Sequence, residues 1–371
     1  MKFKQFTLLF LCAVLFSAML CGCSARTGES AAPDSAAQTE TESSAEPTAE
    51  DTAEVTEDMS ANITDGQETA LSEDVQANVQ EENGLPVVYM TNDISPEGLL
   101  AVYEALEWQP EGKTAVKVST GEPPSSNYLR PELIADVVHE VDGTIVECNT
   151  AYGGERSSTE EHYKVAEEHG FTAIADVQIQ DENGSMVIPV EGGKRLTEDY
   201  VGAAFDDYDS YLILSHFKGH AMAGYGGAIK NISIGLASSE GKSLIHSGGK
   251  SLTDTWSGEH DAFLEAMAEA GKGVSDYLND GENIVYINVM NRLSVDCDCD
   301  GNPAEPDMHD IGILASRDPV ALDQACVDLI YAAEDGASVV ERIESRNGLH
   351  TLEYAEKIGL GSREYELIIL D

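Results

Sequence analysis

The stretch Tyr211-Leu212-Ile213-Leu214-Ser215-His216 is an apolar run of strand length that opens directly into Phe217-Lys218-Gly219-His220-Ala221-Met222-Ala223-Gly224-Tyr225-Gly226-Gly227-Ala228-Ile229-Lys230-Asn231. A short, nearly continuous apolar run reads as a strand covered on both faces. Five more segments share this character: Pro86–Met90, Thr114–Val118, Thr144–Cys148, Ile284–Val289 and Ile311–Ala315. Between them, apolar residues return at helical spacing over Ser95–Leu106, Glu132–Glu140, Thr159–His169, Ala262–Leu278 and Pro319–Ala333. The alternation predicts an α/β fold, a mainly parallel sheet flanked by helices in one large or two-lobed domain. Ligands of such sheets sit beyond the carboxyl ends of the strands. The turns that follow strands are therefore where chemistry is expected.

The turn after Ser215 concentrates two His, two Lys and four Gly within seventeen residues. Its glycines let backbone approach a ligand closely, which makes Gly226, Gly227 and Asn231 candidate substrate contacts. Lys218 and Lys230 would neutralise or polarise an anionic substrate. His216 and His220 are candidate metal ligands, the alternative being solvated histidines on a packing turn. A second turn, Asp296-Cys297-Asp298-Cys299-Asp300-Gly301, follows the Ile284 strand. Cys297 and Cys299 would hold a metal ion or part of an iron–sulfur cluster, or form a disulfide, or remain inert thiols. Glu147-Cys148-Asn149-Thr150-Ala151-Tyr152-Gly153-Gly154-Glu155-Arg156 would complete a pocket floor, with Arg156 meeting an anion. Asp318 before Pro319 reads as a helix N-cap, with Asp323 one turn on either solvated or facing the site. Cys148 and Cys326 read as buried small hydrophobes.

Taken together, the run from His216 to Asn231, the Asp296-Cys297-Asp298-Cys299 turn and the run from Asp310-Ile311-Gly312 to Asp318-Pro319-Val320-Ala321-Leu322-Asp323 resemble the DUF362 family, over nearly all of residues 85–371. Many members of that family carry a ferredoxin-type insert with clustered cysteines. No such insert lies between Lys250 and Asp280, so the resemblance implies the shared core without a ferredoxin module.

Charge divides the chain. Its 371 residues hold 68 acids against 21 bases, a formal net charge of −47, which excludes nucleic-acid binding as a main role. Residues 1–23 combine Lys2 and Lys4, an apolar run from Phe6 to Leu20 and the sequence Leu20-Cys21-Gly22-Cys23. The run is short for a transmembrane helix and has the proportions of a signal sequence. Its end resembles a bacterial lipobox, which implies lipidation of Cys23 and anchoring to the outer face of the cytoplasmic membrane. Residues 24–84 carry 16 acids, one base (Arg26) and no aromatic residue, the composition of a disordered linker. Residues 85–371 still hold 52 acids against 18 bases. Two functions follow as expectations: a metal-dependent or iron–sulfur-linked enzyme acting on a small anion, or a ligand-binding lipoprotein without chemistry.

Overall fold

The computed structural model describes residues 84–124 and 127–370; the expected signal segment with Cys23, and the expected linker up to residue 83, lie outside the described residues. In chain order the elements are β1 (Val87–Thr91), α1 (Pro96–Ala105), β2 (Thr114–Lys117), α2 (Pro131–Glu140), β3 (Thr144–Glu147), α3 (Thr159–Glu168), β4 (Val177–Ile179), β5 (Ser185–Pro189), β6 (Glu198–Gly202) and β7 (Ser210–His216). There follow β8 (Lys218–His220), β9 (Gly224–Gly226), α4 (Ala228–Lys230), which continues as a π-helical turn over Asn231–Gly235, α5 (Ser239–His246) and α6 (His260–Tyr277). The chain closes with β10 (Ile284–Met290), β11 (Gly312–Ser316), α7 (Pro319–Ala332), α8 (Ala337–Ser345), α9 (Leu349–Lys357) and β12 (Glu366–Ile369).

One eight-stranded sheet, ordered β12-β1-β11-β10-β7-β2-β3-β4, carries the fold. Every neighbouring pair is parallel except those made by β11, which runs against β1 and β10. Alternation along each strand sorts side chains onto two faces. Leu212 and Leu214 of β7 pack under α1 and α2 with Leu99, Val102, Ile134 and Val137. Tyr211 and Ile213 of the same strand face α4, α6 and α7 with Ile229, Ala268 and Leu322. Both faces are thus dry, which is why these strands read as unbroken apolar runs. The six strands and five helices expected from the sequence all form. The helix starts are locally encoded: Ser95 Oγ accepts the Gly98 N–H ahead of Pro96, and Asp318 accepts those of Val320 and Ala321 around Pro319.

The chain leaves β2 for β3 and β4 on one side, then returns to place β7 and β10 on the other. The sheet's order therefore reverses between β2 and β7. Above that point the carboxyl ends of β2, β3 and β7 diverge and leave a crevice. None of the described helices is long and apolar enough to cross a membrane.

Candidate functional site

The crevice is a cavity of about 90 Å³, several times the space one water molecule needs. Strand ends supply Lys117, Glu147, Ser215 and His216; the π-helical turn supplies Asn231, Ile234 and Gly235; the turn after β10 supplies Cys297, Asp298 and Cys299. Lys230 from α4 and Lys242 from α5 complete it. Short π-helical turns recur at functional sites. Here the turn brings Asn231 beneath Lys117.

Two buried carboxylates organise the walls. Glu147, at the end of β3, meets Arg156 Nη1 (3.2 Å), His162 Nε2, Lys117 Nζ (4.0 Å) and the Thr120 amide (3.0 Å). Burial pushes its carboxyl up, but Arg156, His162 and Lys117 together outweigh burial and hold it well below the usual carboxylate range. Asp298 accepts from Lys218 Nζ and stands 3.0 Å from His216 Nδ1. Burial opposes its ionisation as well, and His216 and Lys218 again prevail, holding it far below its ordinary value. Both acids are ionised and spent on protein cations.

The remaining cations have no such partners. Among the described residues Lys242 Nζ reaches only the Ala237 carbonyl. Among the described residues no hydrogen bond or ion pair holds the Lys230 ammonium. Burial, with the repulsion of Lys117, Arg156 and Lys242, brings Lys230 down to about 8. Lys117, donating to the Val118 carbonyl and Asn231 Oδ1, is likewise brought to about 8, by burial against the pull of Glu147. A chain of net charge −47 thus lines its cavity with an excess of cations.

The expected site residues divide accordingly. Lys230, Gly226, Gly227, Asn231, Arg156, His216, Cys297 and Cys299 all line the cavity. Lys218 does not: it is wholly buried behind Asp298 and also faces the Asn127 carbonyl, which corrects its expected contact with substrate. Arg156 is already neutralised by Glu147 and by Glu122, 3.1 Å from its Nε. The Asn231 side-chain amide donates to Ser215 Oγ at 3.0 Å and to two strand carbonyls while its oxygen steadies Lys117, so it positions a lysine rather than a substrate. Gly227 serves packing, since a Cβ there would lie 2.3 Å from Asp323 Oδ1. Asp323 is fully buried and accepts the N–H groups of Ala228 and Ile229 at 2.7 and 3.0 Å, so those amides are not available to a ligand.

His220, Cys297 and Cys299 place donor atoms within 4.8 Å of one another, close enough to share a metal ion or cluster. Gly219 makes this approach possible: a Cβ there would stand 2.6 Å from the Val295 backbone, and its amide donates to the Ser294 carbonyl. Yet Cys297 and Cys299 form a disulfide, so neither sulfur is a thiolate. His220 Nδ1 already accepts the amides of Met222 (3.2 Å) and Ala223 (2.9 Å). The donors as bonded do not fit a metal, which requires deprotonated sulfur and a free ring lone pair. His216 stands apart from that set, its Nδ1 on Asp298 and its Nε2 2.8 Å from the Asn291 carbonyl. Both its nitrogens face acceptors, which corrects the expectation that it ligates a metal.

Residues 114–328, more than half of the chain and all of the cavity wall, match the family described as a domain of unknown function, DUF362. The chain belongs to the DUF362 family. Among solved structures this DUF362 chain is similar to the lactate racemase apoprotein from Thermoanaerobacterium thermosaccharolyticum, at 14% identity and TM-score 0.37, covering 65% of this chain and 56% of that one. It is also similar to a protein from Thermotoga maritima, at 12% identity and TM-score 0.34, covering 71% and 58%. It spans less than two thirds of either, and likenesses this shallow carry no argument about activity. Comparison with the curated proteins returned no match.

Lys117, Glu147, His162, Lys242 and Asp298 are the site residues that sequence reasoning passed over as individuals. Only Lys117 leaves a signal: a lysine ending the otherwise apolar strand Thr114–Lys117 is expensive to bury without a purpose.

Proposed function

We propose that this protein binds a small anion, a carboxylate or phosphate of a few heavy atoms, in the cavity above β2, β3 and β7, and does so as a lipid-anchored protein on the outer face of a bacterial cytoplasmic membrane. The observation that carries the first part is the Lys230 ammonium, lining the cavity with no partner among the described residues. An anion beside it supplies the missing counter-charge and satisfies its donors. Lys242 adds a second positive charge, while Glu147 and Asp298 are already neutralised and repel the anion less. Because burial and the neighbouring cations bring Lys230 down to about 8, an anion binds best below that pH. Binding raises the lysine's affinity for its proton.

The first test is a panel of melts of the full chain with malonate, succinate, phosphate and sulfate. A saturating ligand at about 100 times its Kd stabilises by ~2.7 kcal/mol, a plain upward shift in Tm. No response to any of these anions overturns the reading. Anchoring rests on Cys23 and is tested by fractionation: Cys23→Ala should move the protein from the membrane pellet to the soluble fraction.

A second reading, acid–base chemistry on the bound anion, is favoured by two lysines titrating near 8 in one cavity. Amines tuned toward neutrality can take up and return a proton. Exchange of carbon-bound hydrogen for deuterium in a bound carboxylate, followed by NMR, tests it directly.

A further inference from the structure

The Cys297–Cys299 disulfide has little structural use. It joins residues two apart, and so short a loop removes little entropy from the unfolded chain. The turn is fastened by its middle residue instead. Asp298 is gripped by Lys218 and His216, and its carbonyl accepts the Glu122 N–H at 2.8 Å. Cys297 and Cys299 are both half-buried and line the cavity that Lys230 also lines, whereas Cys148 and Cys326 are buried free thiols. The Cys299 N–H points to Cys297 Sγ at 3.3 Å, a donor placed to support charge on that sulfur.

From this arrangement we infer that Cys297–Asp298–Cys299 is a thiol–disulfide exchange site whose partner is a dithiol carrying a carboxylate or phosphate. The inference rests on the anion-binding reading of the cavity. In the forward direction one donor thiolate attacks Cys299 Sγ; the Cys297–Cys299 bond breaks and its electron pair leaves on Cys297 Sγ, which takes a proton. The donor's second thiol, losing its proton, attacks the donor sulfur of the mixed disulfide and releases the Cys299 thiolate, which is protonated. Two electrons and two protons pass from donor to protein, and the donor leaves as a disulfide. Asp298 stays pinned throughout, so the two thiols remain side by side and the reverse reaction needs no search. Reduction also frees both sulfurs beside His220, where the oxidised pair is closed to metal.

The test exposes the oxidised full chain, near neutral pH, to dithiothreitol or to dimercaptosuccinate, followed by acid quench, alkylation and peptide mass spectrometry. Cys297 and Cys299 should become alkylated together in the folded protein, with Cys148 and Cys326 protected. Relative to a small disulfide standard, dimercaptosuccinate should react roughly tenfold faster than the neutral dithiol, the scale of local electrostatic steering. Lys230→Met should bring the normalised ratio of the two dithiol rates to near one. Alkylation only after denaturation overturns the inference, and so do equal normalised rates for the two dithiols. Malonate titration of the oxidised protein reads the cavity separately, so failure of the anion reading is told apart from failure of the exchange.

Discussion

Arg156 and Lys230 line the same cavity, yet they do different work. Arg156 is 3.2 Å from Glu147 and 3.1 Å from Glu122, and removing it would take a counter-charge from both acids. Lys230 has no partner among the described residues. The same contrast separates Lys218, buried on Asp298, from Lys242, which among the described residues meets only a carbonyl. A buried cation with its own carboxylate is part of the wall, and one without it leaves the cavity with net positive charge. Proximity to a cavity does not distinguish the two; the charge balance does.

The contrast predicts its largest effects at the paired acids. Glu147→Ala leaves Lys117 buried without its carboxylate and Arg156 with Glu122 alone, and should cost about 3–5 kcal/mol in denaturant unfolding, the usual penalty for breaking a buried ion pair. A loss below about 1 kcal/mol would show that the Glu147 cluster is not architectural. Asp298→Ala should cost a comparable but smaller amount, because Lys218 retains the Asn127 carbonyl. It should also loosen the turn that holds the disulfide, read as faster amide exchange over residues 296–300. Lys230→Met is expected to do the opposite. Stability should stay within about 1 kcal/mol of the parent or rise, since a desolvated charge is removed, while anion affinity falls at least about tenfold, ~1.4 kcal/mol.

A further effect is in pH. Lys117 and Lys230 sit near 8 in the fold against 10.5 when unperturbed. Between those values the unfolded chain holds more protons than the folded one, so these two groups make stability rise with pH across that window. The acidic remainder of the protein imposes its own slope. The informative quantity is therefore the difference between the parent and a Lys117→Met, Lys230→Met double variant. That difference should shrink from pH 8 to 10.5, because deprotonation relieves in the parent the cost that the variant never had.

Much of this architecture could be read from the residues. Buried parallel strands announce themselves because both faces are apolar, as along Tyr211–Leu214, and caps such as Asp318-Pro319 are local chemistry. The reversed direction of β11 was not legible, since nothing in Gly312–Ser316 records which way its neighbours run. The β8–β9 hairpin was hidden by its glycines, which read as a loop until Val295 is seen lying against Gly219. At the site, the sequence showed where cations gather after β7. It could not show that Asp298, eighty residues away from Lys218, claims that lysine, or that Lys242 on α5 arrives beside Lys230. Which cations are paired is a property of tertiary approach.

Whether the Lys230 ammonium, unpaired among the described residues, makes this cavity an anion site is decided by calorimetric titration of the oxidised full chain and its Lys230→Met variant with malonate and with phosphate. The predicted result is saturable binding of at least one of the two by the parent, with proton uptake growing as pH approaches 8, and at least a tenfold weaker response in a variant that melts no lower. Equal affinity in parent and variant, or no binding of either anion by the parent, would contradict it.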